Sequence, residues 1–222
     1  MQETSVVPAK PVSANRQGKQ KNLTREIVDT LVLTLLIFFA VHFSVQPFEV
    51  VGPSMQPGLH TGEEVLVNLL AYDFSTPKRG DIVVIYPPMN TSRDCNDTLG
   101  PAHTCFVKRI IAMPGDTIQV TVDGDVYVNG TLLSEPYVDG SIASGGHVTE
   151  HNPFVVPPTT RGKDAYFVMG DNRDNSEDSR VFGPISRSEI IGKASAVIWP
   201  LGNFEWLPDY SYVFKGVGSA SR

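Results

Sequence analysis

The chain has 222 residues, 41% of them apolar and 19% charged, with a formal net charge of −6. That composition supplies a substantial hydrophobic core and excludes a wholly disordered chain. The charge is uneven: Lys10, Arg16, Lys19, Lys21 and Arg25 against Glu3 give residues 1–25 a net +4, leaving −10 for the remainder. A basic tail on an acidic body argues against nucleic acid as a partner, because phosphate binding needs basic charge on the folded surface. It suits a membrane lipid surface.

Residues 1–26 are polar, carry prolines and lack an apolar period, so they read as a disordered tail. In the following stretch, IVDTLVLTLLIFFAVHFSV (27–45), Asp29 alone is formally charged. Crossing a bilayer takes roughly 20 mainly apolar residues as a helix, which predicts a transmembrane anchor over 27–46. The basic residues before it predict a cytoplasmic N-terminus and a body on the outer face of the cell membrane. A removable secretory signal has a similar plan, but HFSVQPFEV offers no small-x-small cleavage site. A core helix of a soluble domain should carry a polar stripe, which is missing here.

Beyond the anchor the pattern changes to short strands. EEVLVNLL (63–70), DIVVIYP (81–87), CFVKRIIAM (105–113), TIQVTV (117–122), DVYVNG (125–130), AYFVMG (165–170) and ASAVIWP (194–200) are rich in Val, Ile, Tyr and Phe between Gly, Pro and Asp. Asp123-Gly124 between two alternating runs predicts a hairpin. The fold class expected is mainly β: an antiparallel body over 47–205, a smaller β subdomain within 117–160 and a C-terminal tail from 206 to 222. Short helical turns are expected near PMNTS and SRSEII. The polar, aperiodic stretches 88–104 and 139–153 read as surface insertions.

Cys95 and Cys105 lie ten apart across the first insertion. A disulfide in an oxidising compartment and two free thiols both fit this spacing. With His103 they lack the paired spacing of a structural zinc site, so no metal or other cofactor is expected.

Candidate chemistry begins with Ser54 in VVGPSMQPGL (50–59). Gly52, Pro53 and Pro57 mark a bend, in which Ser54 serves as a turn residue or as a nucleophile. A nucleophilic serine needs a base. His42, His60, His103, His147 and His151 have no carboxylate at a telling spacing, and the Gly-x-Ser-x-Gly elbow is missing. Lys108 is the other base. Strand alternation puts it on one face with Phe106 and Ile110, and Val107, Arg109 and Ile111 on the other. It either snorkels to water or is buried, and burial lowering its pKa by about 2 units would make it a usable base. The polar run MGDNRDNSEDSR (169–180) fits no EF-hand: its sixth position from Asp174 is Ser179 and its twelfth Ile185. It reads as a hydrogen-bonded surface turn or as support for a buried amine.

An N-terminal apolar anchor, PSMQPGL around Ser54, RGDIVVI (79–85), KRIIAMPGD from Lys108 and GDNRDNSEDSR from Gly170, in this order, resemble the type I signal peptidases over roughly residues 27–200. The resemblance implies a membrane-bound serine protease acting on preproteins with signal peptides, which it cuts after small-x-small motifs. Ser54 is then the nucleophile, Lys108 the general base, and Ser176, Asp178 and Arg180 the supporting residues. Phe48, Val50, Gly52, Met55, Phe106 and Val107 would line the substrate cleft. Some family members carry a hydroxyl oxyanion donor two residues before the nucleophile, where this chain has Gly52. Phe48, Trp199, Trp206 and Leu207 are candidates for an apolar rim at the interface, with core packing the alternative for the two tryptophans. A self-cleaving repressor of similar catalytic fold, which lacks an anchor, and a tethered β module without catalysis are the rival readings.

Overall fold

A computed structural model describes residues 23–86, 88, 95, 105–138 and 152–218. Residues 1–22 of the expected tail, most of both insertions and nearly all of PMNTS lie outside the described residues, whereas residues 23–26, expected in the tail, already belong to a helix. The chain divides into two units, residues 1–40 and 41–222.

The first unit contributes most of the helix α1 (Leu23–Ser44). Within Thr24–Ser44 an 18-residue stretch reaches a mean hydropathy of 2.1, and the helix is long and apolar enough to cross a membrane. Thr30 and Thr34 turn their hydroxyls back onto the carbonyls of Glu26 and Thr30, each at 2.8 Å. Their only polar side-chain groups are thereby satisfied within the helix, as an apolar surrounding requires. The helix ends two residues before the boundary expected at 46. Pro47 disfavours helical backbone at the residue before it, and Val45–Glu49 form strand β1 instead.

In the second unit, β1 is followed by β2 (Glu64–Asn68), β3 (Ile82–Ile85), β4 (Phe106–Ala112), β5 (Thr117–Val120), β6 (Val126–Val128) and β7 (Thr131–Leu132). Then come β8 (Phe154–Val155), β9 (Thr159–Thr160), β10 (Lys163–Met169), helix α2 (Ser179–Phe182), β11 (Ile185–Ser186), β12 (Ile190–Trp199) and β13 (Glu205–Trp206). The main sheet runs β1-β2-β12-β3-β4-β10-β11, with β13 on β12 and β9 on β10, and a four-stranded sheet runs β7-β6-β5-β8. The pairings are antiparallel, so the protein is mainly antiparallel β with one N-terminal apolar helix.

Side chains alternate across a strand, and here both faces of the main sheet find a core. Ile82 and Val84 join Val65, Val67 and Val107 in one cluster, whereas Val83 and Ile85 join Ile110, Tyr166 and Val168 in another. A sheet covered on both sides explains the unbroken run Ile82–Ile85. A third cluster joins Phe167 and Met169 of β10 to Ile118, Val126 and Val128 of the smaller sheet.

The C-terminal region differs from the expected tail. Pairing of β13 with β12, a 3-10 turn over Ser211–Phe214, and burial of Phe214 and Val217 in the third cluster bind residues 205–217 into the fold. The segment is short and interrupted by Pro208, Asp209 and Gly216, so it shows no period, and its apolar residues find their partners only in three dimensions. The two tryptophans do not pack in the core: Trp199 is 53% and Trp206 66% exposed.

Candidate active site

Ser54 sits in the turn that leaves β1 and returns to β2. The base of the turn is closed by Val50 N–H to Glu63 O at 2.7 Å and Gly62 N–H to Val50 O at 2.9 Å. Its far end is wound by Gln56 N–H to Pro53 O at 3.0 Å and Leu59 N–H to Met55 O at 2.9 Å. Gly52 has φ +89°, with open space where a Cβ would stand. Glycine is thus demanded there by the backbone and not by crowding, which accounts for the missing hydroxyl at this position. Met55, at 1% exposure, and Val50 lie inside the first cluster beneath the turn, where they pack the turn onto the sheet. Phe48 is half-buried against the same cluster.

Lys108 occupies the middle of β4, opposite Val83 of β3, with β10 on the other side. It is 2% exposed. Its Nζ donates to Ser54 Oγ at 2.8 Å across 54 residues of sequence and stands 5.1 Å from the Phe106 ring centroid. Burial lowers its pKa from 10.5 to about 8, against the attraction of Asp178, whose effect Arg180 partly cancels. A partly neutral amine in hydrogen-bond reach of a hydroxyl is the arrangement proton abstraction needs.

The turn after β10 surrounds this pair. Asn172 N–H donates to the Ser54 carbonyl at 3.0 Å. Gly170 N–H donates to Asp178 Oδ2 at 2.9 Å, and a Cβ on Gly170 would collide with Ser176 Oγ and the Ser54 carbonyl oxygen. Asp178 caps α2 through Arg180 N–H at 3.1 Å and accepts both Nε and Nη2 of Arg180 at 2.8 Å. Burial works against the Asp178 charge, but the Arg180 guanidinium outweighs it and holds the carboxyl below its ordinary range. Ser176 lies near enough to favour that ionised form, yet its buried Oγ meets no partner with hydrogen-bond geometry among the described residues. Ser54, Lys108, Ser176, Asp178 and Arg180 are therefore gathered around one turn. Phe106 and Val107 belong to the same strand as Lys108, and Cys105 just before them is joined to Cys95 with Cα atoms 5.2 Å apart.

Sequence reasoning did not single out Gly170, Asp171 and Arg109. Arg109 Nε and Nη2 grip the Asp171 carboxylate at 2.8 and 2.7 Å, and Nη1 donates to Gly80 O at 2.9 Å. Arg109 carries the same signal as Lys108, a cation inside an apolar strand, which demands a buried partner. No group of His, Cys, Asp or Glu among the described residues could hold a metal ion.

The geometry defines a β body that holds a serine hydroxyl against a buried amine. The family profile described as "Signal peptidase, peptidase S26" matches residues 23–199. Signal peptidase IB of Staphylococcus aureus is 32% identical over 197 residues, covering 84% of this chain and 95% of that one. A probable signal peptidase I-2 of Synechocystis is 32% identical over 200 residues, covering 89% and 83%. The crystal structure of a signal peptidase I from Enterococcus faecalis aligns at 30% identity with a TM-score of 0.38, covering 53% of this chain and 95% of that one. The chain belongs to the signal peptidase family, peptidase S26, and is a peptidase.

Proposed function

We propose that the protein is a membrane-bound endopeptidase that removes N-terminal signal peptides from exported preproteins, cutting after small-x-small motifs. The observation that carries this reading is the 2.8 Å contact between Ser54 Oγ and the Nζ of Lys108. With the amine neutral, the hydroxyl proton passes to Nζ as Oγ attacks the scissile carbonyl. The charged amine then returns its proton to the departing amine, leaving an acyl group on Ser54. Water activated by the neutral amine releases it. The Ser54 N–H is one donor for the oxyanion, and position 52 supplies no hydroxyl. Ser176, Asp178 and Arg180 hold the amine's surroundings, while Phe48, Gly52 and Phe106 border an extended substrate; the side chains of Val50, Met55 and Val107, expected to line the cleft, are instead buried in the first cluster and pack beneath it.

In the same reading α1 anchors the enzyme in the cell membrane with its basic tail in the cytoplasm and residues 47–205 on the outer face. Tethering enzyme and substrate to one surface raises their effective concentration. Trp199, Leu201, Phe204 and Trp206, all exposed, supply an apolar rim of the kind that enters a lipid interface. The test is incubation of the detergent-solubilised chain with a preprotein whose signal ends in Ala-x-Ala. The parent chain releases the mature protein, and Ser54→Ala and Lys108→Ala do not. Substantial turnover by either variant ends the dyad, and binding without cleavage by the parent favours a tethered binding module.

A further inference from the structure

Two buried pairs of opposite charge, Arg109 with Asp171 and Arg173 with Glu135, flank the turn after β10, and the dyad uses neither. Arg173, 3% exposed, sits within the turn after β10. Its Nη1 and Nη2 grip Glu135 at 2.8 and 2.7 Å, and its Nε donates to the Gly170 carbonyl at 3.1 Å. Glu135 belongs to the segment that follows β7 of the smaller sheet, 38 residues away in sequence. It also accepts the Tyr137 hydroxyl at 2.7 Å. The Tyr137 ring lies 4.1 Å from the Arg109 guanidinium carbon, and Arg109 grips Asp171, the residue after Gly170.

The contacts close on themselves. From Gly170 the path runs through Arg173, Glu135, Tyr137, Arg109 and Asp171 and back to Gly170. Two guanidinium groups balance two carboxylates, so the ring carries no net charge. Its backbone member is the one that touches the nucleophile: Gly170 leaves no room for a Cβ against the Ser54 carbonyl, and Asn172 donates to that carbonyl.

We propose that Glu135 is a positioning residue of the peptidase, fixing through Arg173 the Gly170–Asn172 backbone that braces Ser54 beside Lys108. The inference rests on the dyad reading above and gives the smaller sheet a task, which is to present Glu135 from outside the main sheet. An ion pair needed for stability alone is replaceable by apolar packing. A pair that fixes a backbone beside a nucleophile is not, because a displacement of about 1 Å costs about 100-fold in rate.

The test compares the full chain in detergent with Glu135→Gln, Glu135→Asp and Tyr137→Phe, with Ser54→Ala and Lys108→Ala alongside. Rates are normalised to the folded fraction by near-ultraviolet circular dichroism. Glu135→Gln is expected to lower kcat at least about tenfold with KM within about twofold. Its acidic limb of kcat should move to higher pH, as a loosened turn admits water to Lys108, and Glu135→Asp should recover most of the loss. A folded Glu135→Gln with the parental kcat and limb overturns the proposal. If Glu135→Gln does not fold, Tyr137→Phe decides: about threefold lower kcat with a displaced limb supports the role, and parental behaviour overturns it. Cleavage by Ser54→Ala or Lys108→Ala removes the dyad and this role together. Silent dyad variants beside a fully active Glu135→Gln remove this role alone.

Discussion

Replacing Lys108 by methionine keeps the length of the side chain and removes its charge, so it separates the cost of the buried amine from its use. The fall in pKa from 10.5 to about 8 corresponds to about 3 kcal/mol of penalty on the charged form. Below pH 8 the amine is protonated folded and unfolded, and the fold carries the whole penalty. Between about 8 and 10.5 the unfolded chain binds the extra proton, so stability rises with pH. Above 10.5 both states are neutral and the penalty is gone. Losing the hydrogen bond to Ser54 offsets about 1 kcal/mol. Lys108→Met should therefore be more stable than the parent by about 2 kcal/mol at pH 7, an advantage that disappears toward pH 10.5, and it should have no turnover. Urea unfolding in detergent, followed by fluorescence of Trp199 and Trp206 across this pH range, reads the difference. Parallel stability curves for parent and variant, or a variant no more stable at neutral pH, would refute the burial argument. In the parent, kcat/KM should climb along an acidic limb centred near pH 8, not near the pKa of a free lysine.

Gly170→Ala drives a methyl group into Ser176 Oγ and the Ser54 carbonyl. It should cost about 1–3 kcal/mol of stability and about 100-fold in kcat; unchanged kcat in the folded variant would contradict the close approach. Protease added to intact cells should digest the body and spare the basic tail, and the reverse pattern in a blot against each end would overturn the proposed topology.

Local order was legible in the sequence because it has local causes. A long apolar run announces α1, and β-branched runs between turn residues announce β2, β3, β4, β5, β6, β10 and β12. Strand alternation also placed Lys108 with Phe106 and Ile110. The two-residue strands β7, β8, β9, β11 and β13 were not legible, since pairing with a neighbour and not their own composition makes them strands. Val45 and Gln46 read as the end of the anchor because Val45 is apolar, although Pro47 already opposed a helix there, and the strand they open with residues 47–49 was not legible.

The sequence by itself determined the materials of the site: an apolar helix of membrane length, a serine in a bend, a lysine in an apolar strand and a polar turn after another. Only the tertiary structure decided that Lys108 is buried rather than snorkelling, that it meets a hydroxyl 54 residues away, and that Glu135 reaches Arg173. Strand register and loop return bring such groups together, and these depend on packing between distant segments. A charged residue's partner is therefore a property of the fold, whereas the need for a partner is visible in the strand that carries it.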